Sequence, residues 1–354
     1  PALTLSVVKD GRVVLSQGYG HTSVDKKIRV TTRTKFGIGS LTKAFTATLI
    51  SKWVHEQDNI DFDTPIKEFY PAFRVVDEIR TQGATFRDLL SHRLSVDDYF
   101  KSLMMGIPDQ YSRAELMARM AYFPASRSFR EKFVYNNYAF ALAAHVLEKM
   151  SGDRKWEEML RDTLLKPLRM TGTGYVTERR DFSDFALPCA ERNGSMVDAN
   201  PELMYTVSPL GPAGSVYSNA DDMAKWMQFV LTEGLTSTGH RLVNRDVIRA
   251  TFEPSNLAFS RATWATKPNV AYSHVPLSYD MGWVTAIYRG YKLIYHTGGF
   301  ISYSARLWLF PDLQAGVFLC VNGPVYNKHA LLESIMYYTA DLLLGERPWL
   351  NQTS

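Results

Sequence analysis

Ser40 and Lys43 stand three residues apart in the stretch FGIGSLTKAFTATLI, residues 36–50. A helix puts residues i and i+3 on one face, a turn apart, so this spacing sets a hydroxyl beside an amine. The small residues ahead of them predict a helix N-terminus at Ser40, where unpaired backbone N–H groups favour developing negative charge. A serine becomes a nucleophile when a base takes its proton, and a partly desolvated lysine can do so. Taken alone, the four-residue pattern reads more readily as a serine cap and a solvated lysine, because it is so short.

Two further groups strengthen the chemical reading. Tyr135-Asn136-Asn137 opens a helical run, and His296-Thr297-Gly298-Gly299 closes a strand-like one. Ser40 Oγ would attack a carbonyl carbon while Lys43 and Tyr135 together accept its proton. A tyrosine, with a reference pKa near about 10, needs a positive neighbour for that role near neutrality, and Lys43 supplies one. The Asn137 amide has a donor and an acceptor, suited to holding a substrate amide and Lys43 at once. The backbone N–H of Ser40 is one candidate donor for the oxyanion, and water would then release the acyl group. No metal or organic cofactor is needed. His55, His92, His145 and His240 read as structural, and no histidine pair has zinc spacing. Tyr99, Tyr205, Phe300 and Tyr303 are candidates for lining an acyl pocket, with core or loop packing the equal alternative.

These groups need elements to hold them. Residues 3–20 alternate around a Lys9-Asp10-Gly11-Arg12 turn and predict a hairpin. The stretch around Ser40 continues as a helix to about His55. Residues 60–205 are mostly helical in pattern, with starts at Asp63-Thr64-Pro65, Thr85 and a Ser112–Glu115 capping box. Residues 135–150 predict an amphipathic helix. Residues 176–215 read as a long polar loop, of the kind that borders functional sites. Asn219 can cap the next helix, residues 253–280 read as loop, and two hairpins follow before a final helix over residues 329–344. The expected fold is α+β. An antiparallel sheet of about five strands, built from both chain ends and flanked by helices, makes an α/β lobe of residues 1–58 and 206–354. A mainly helical lobe of residues 59–205 completes a single domain, with a cleft between.

Composition excludes other classes. The 354 residues are 45% hydrophobic, with 40 basic and 36 acidic side chains interspersed, which predicts a large core and no nucleic-acid surface. No apolar stretch reaches the roughly 20 residues of a membrane span. Two cysteines, Cys189 and Cys320, exclude a disulfide framework and leave one bridge open; Cys320 reads as a buried strand residue. The chain opens directly on a strand-like segment, so a targeting segment ahead of it is expected, with a secreted or periplasmic setting favoured. The sequons at Asn193 and Asn351 add slightly to that. Oligomeric state is not legible.

In their order and context the three groups resemble the serine β-lactamase and penicillin-binding-protein superfamily, closest to class C β-lactamases and related esterases and D-aminopeptidases. KDGRVVLSQGYG, KPLRMTGTGY and PAGSVYSNADDMAKW look like the family too, so the resemblance covers nearly the whole chain. It implies the β-lactamase/transpeptidase-like fold, with Ser40, Lys43 and Tyr135 catalytic, and Asn137, His296, Thr297 and Gly298 binding substrate. It also implies the Gly299 N–H as second oxyanion donor. The chain departs from the pattern twice. His296 stands where most relatives have lysine, and a histidine is only partly charged near neutrality, which favours esters or amides without an essential carboxylate. HRLSVDD, residues 92–98, replaces the usual H-T-S-G-L. The reading is a serine hydrolase cleaving ester or amide bonds of a small molecule or short peptide, with weak β-lactam hydrolysis alongside. The alternatives are a D-specific peptidase or transpeptidase and, in another class, a catalytically weak binding, matrix or filament-forming protein.

Overall fold

The computed structural model describes residues 1–25, 28–99, 111–125, 127–257, 274–323 and 328–348. Strands from both ends of the chain form one antiparallel sheet. They are β1 (Ala2–Lys9), β2 (Arg12–Gly20), β3 (Val275–Tyr279), β4 (Val284–Tyr288), β5 (Tyr291–Phe300), β6 (Tyr303–Phe310) and β7 (Ala315–Val321). Their order is β2-β1-β7-β6-β5-β4-β3. Among the described residues the sheet has seven strands against the expected five or so. One addition, β3, lies in the stretch expected to be loop. Pro276 lacks an N–H, and β3 accommodates it as an edge strand with a register shift between Pro276 and Ser278.

Both faces of this sheet are covered. The two-residue period sends Leu307, Leu309, Phe318 and Cys320 to one face. There they share a core with α1 (Thr42–His55) and α3 (Ala220–Leu231). Trp308, Phe310, Val317 and Leu319 point the other way, onto Leu332, Met336 and Ala340 of α4 (Lys328–Leu344). Phe45 and Trp226 stack with ring centroids 3.8 Å apart and tie α1 to α3. Burying aromatic surface of this kind contributes roughly 3 kcal/mol per side chain.

The helix α2 (Asn137–Met150) is buried from Asn137 through Glu148, so it is enclosed on all sides and not amphipathic as expected. Alanines at 139, 141, 143 and 144 allow neighbours to approach it closely. The expected caps at Thr85, Ser112 and Asn219 all accept backbone N–H groups. Residues 176–215 are more ordered than a loop. They include a hairpin of Cys189–Arg192 and Ser195–Asp198, then a 3-10 run, Pro201–Leu210. Asn193 and Gly194 form the hairpin turn at φ of 52° and 76°, the left-handed pair a tight hairpin requires. The sequon at Asn351 lies outside the described residues. No described helix is long and apolar enough to cross a membrane.

Candidate active site

Ser40 sits in a 3-10 turn, Gly39–Leu41, directly ahead of α1. The helix begins two residues later than expected, and no side chain caps it, so Ser40 is not a cap. Its Oγ instead accepts hydrogen bonds from Lys43 Nζ at 3.1 Å and from the Tyr135 hydroxyl at 2.9 Å. Nor is Lys43 a solvated lysine: it is 0% exposed. Its amine also donates to Asn137 Oδ1 at 2.7 Å and to the Ala213 carbonyl at 2.8 Å, and it lies 4.8 Å from the centre of the Tyr135 ring.

Burial brings the Lys43 pKa down to about 7, against the opposing pull of the Asp98 carboxylate. Near neutrality much of the amine is therefore uncharged. Asn137 Oδ1 and the Ala213 carbonyl can only accept, so they take its two hydrogens. The remaining lone pair is left for the Ser40 hydroxyl.

Tyr135 faces Ser40 through its hydroxyl. Burial raises its phenol well above the ordinary range, and the Ser40 hydrogen bond only partly opposes this. It keeps its proton at neutral pH and donates it to Ser40 Oγ. Asn137 is not a cap either. Asn136 caps α2, its side chain accepting the Ala139 N–H at 3.1 Å. Asn137 Nδ2 donates to Asp98 at 2.8 Å.

His296, on β5, is turned inward. Its Nδ1 lies 2.6 Å from the Thr297 carbonyl and so carries the ring proton, while Nε2, 3.0 Å from the Tyr279 hydroxyl, accepts. Burial, reinforced by Lys43, lowers its pKa to about 3. The imidazole is neutral at pH 7, not partly charged, and both nitrogens are engaged within the protein. It offers no cation to a substrate carboxylate. Thr297 and Gly299 are exposed and Gly298 is buried. A methyl at Gly298 would overlap the Ile38 carbonyl oxygen, and a Cβ at Gly39 would come within 2.7 Å of the Gly299 carbonyl oxygen. The Ser40 turn and the end of β5 thus meet backbone to backbone, bringing together the segments that carry both expected oxyanion donors.

The sequence did not point to Asp98, Ala213 or Tyr279. Ala213 acts through its carbonyl, which carries no residue signature. The Nδ1 of His92 accepts the Asn136 N–H at 3.1 Å, and its ring centre lies 4.3 Å from that of Tyr135. Tyr303 and Tyr205 donate to the Ala186 and Arg179 carbonyls, each at 2.7 Å, and Phe300 is buried, so these aromatics pack and bond within the protein. Tyr99, half-buried beside Asp98, packs on Phe123 with centroids 4.9 Å apart. Among the described residues, no group of three or more His, Cys, Asp or Glu is placed to hold a metal.

The chain belongs to the Beta-lactamase family, whose profile matches residues 1–334. An unguisins hydrolase of Aspergillus violaceofuscus is 24% identical over 98% of this chain and 62% of its own length. The chain thus spans less than two thirds of that curated relative. The octameric penicillin-binding protein homologue from Pyrococcus abyssi superposes with a TM-score of 0.75 at 24% identity, covering 98% of this chain and 74% of that one. The D-amino acid amidase from Ochrobactrum anthropi SV3 gives 0.73 at 18% identity, over 91% and 86%. Both share the fold.

Proposed function

We propose that this chain is a serine hydrolase that cleaves ester or amide bonds of small molecules or short peptides through an acyl-enzyme on Ser40. The observation that carries the reading is the bracketing of Ser40 Oγ by a base at 3.1 Å and an acid at 2.9 Å. Neutral Lys43 takes the hydroxyl proton as Oγ bonds to the carbonyl carbon. The oxyanion is held by the N–H groups of Ser40 and Gly299, each such donor contributing about 3 kcal/mol of barrier lowering. As the tetrahedral adduct collapses, Tyr135 gives its proton to the departing oxygen or nitrogen and recovers one from protonated Lys43. Water then attacks the acyl-enzyme, Lys43 takes its proton, and Ser40 leaves with that proton restored.

Residues 1–58 with 206–354 supply Ser40, Lys43 and Gly299, and residues 59–205 supply Tyr135 and Asn137. We take these as two lobes of one domain with the site at their junction. A neutral His296 supports substrates that need no carboxylate, and so an ester or amide over an antibiotic β-lactam. The resemblance to a protein named as a hydrolase supports the reaction class. The complete constellation argues against a binding or filament-forming role without catalysis. The test is Ser40 labelling by a fluorophosphonate together with p-nitrophenyl ester turnover. The wild type should do both and Ser40→Ala neither; a wild type inert across a broad acyl panel would overturn the proposal.

A further inference from the structure

Segment 92–98 runs beside the start of α2 and grips it at successive points. His92 Nδ1 accepts the Asn136 N–H at 3.1 Å, and the Val96 and Asp97 carbonyls accept from Asn136 Nδ2 at 2.9 and 3.2 Å. The Asp98 carboxylate accepts twice from Asn137, from its backbone N–H at 3.3 Å and from Nδ2 at 2.8 Å. A carboxylate has no hydrogen to give. Facing it, the Asn137 amide must present its NH2 end, which leaves Oδ1 toward Lys43 at 2.7 Å.

That orientation matters to the base. A flipped amide would aim N–H donors at Lys43 and compete with Ser40 for the amine's lone pair. With Oδ1 in place, and the Ala213 carbonyl beside it at 2.8 Å, both hydrogens of the neutral amine are committed. The lone pair then has one partner left, the Ser40 hydroxyl.

We propose that Asp98 is a positioning residue: it orients the Asn137 amide and, through it, the lone pair of Lys43 toward Ser40. The inference rests on the acyl-enzyme reading above and goes beyond it. The carboxylate also acts through its charge. The titratable groups facing Lys43 are Tyr135, His92, His296 and Asp98, and burial keeps the first three neutral near pH 7. Asp98 opposes the desolvation of the amine. Removing its charge lowers the Lys43 pKa, so neutral amine prevails at lower pH and the acid limb of acylation moves down.

The experiment is the rate of Ser40 labelling by a fluorophosphonate as a function of pH, in wild type, Asp98→Asn and Asp98→Ala. Asp98→Asn loses the charge and one of the two acceptor oxygens, and keeps one oxygen that can still accept from Asn137 Nδ2. Its plateau should stay close to wild type while its acid limb falls by about one pH unit. Asp98→Ala loses the acceptor too, and its plateau should fall roughly tenfold or more through misplacement of the base. An unmoved or raised acid limb in Asp98→Asn overturns the proposal, as does a wild-type plateau in Asp98→Ala. If Asp98→Ala does not fold, the limb position of Asp98→Asn decides. Failure of the wild type to label at Ser40 overturns the acyl-enzyme reading itself, and this inference with it.

Discussion

Two of the basic side chains buried within this site, Lys43 and His296, have opposite fates. Lys43 and His296 are 0% and 4% exposed, and desolvation is the main cause lowering each. Lysine starts from 10.5 and arrives at about 7. Histidine starts from 6.5 and arrives at about 3. Similar burial therefore leaves one base poised at neutrality and removes the other from titration at physiological pH. Their partners finish the distinction. Two acceptors leave Lys43 a lone pair aimed at Ser40, whereas the Thr297 carbonyl and the Tyr279 hydroxyl occupy both nitrogens of His296. Burial alone does not make a base reactive; the starting pKa and the valence left over do.

The sharpest way to break this contrast is to exchange each residue for a neutral one. Lys43→Met should slow ester turnover by about a thousandfold, while His296→Gln, which keeps a donor and an acceptor, should slow it less than about tenfold. Equal losses in steady-state kinetics would abolish the distinction.

The pH dependence separates the two bases further. Activity should rise through about pH 7 as Lys43 loses its proton, with no inflection from His296 in the neutral range. Stability should follow the same logic. Each group has a folded pKa below its unfolded value, so between the two the unfolded chain binds the extra proton and stability rises with pH. The windows are about 7 to 10.5 for Lys43 and about 3 to 6.5 for His296. Each is worth a few kcal/mol at about 1.4 kcal/mol per pKa unit. Urea unfolding across pH reads both, and the smaller, diagnostic effect is that His296→Gln should reduce the slope of the lower window, to which buried His92 and His145 also contribute, and leave the upper one unchanged. A lower-window slope equal to that of the wild type would take His296 out of it.

Much of the site was legible because its side chains sit in short local patterns. Ser40 and Lys43 are one helical turn apart, and Tyr135 and Asn137 share one helix start. What was missed acts through backbone or across long sequence distances. The Ala213 carbonyl lies 170 residues from Lys43, and Asp98 lies 39 from Asn137. Asp98 belongs to residues 92–98, the segment that departs from the family pattern, so the departure itself was visible while its partner was not. What burial does to the charge states of Tyr135 and His296 was not legible, because burial is a tertiary property. In the fold, alternation revealed the central strands. Edge strand β3 escaped notice because it is short and carries Pro276.

The glycine contact between Ile38 and Gly298 has a consequence for how the site ages and varies. Where two main chains touch with no side chain between them, spacing is fixed by van der Waals contact between backbone atoms and not by rotamer choice. Substitutions elsewhere can reshape the surroundings of Ser40 without retuning the distance between the Ser40 turn and the strand edge. The machinery is in that sense insulated from such changes, and a single added methyl at Gly298 is the small change that would pry the two apart.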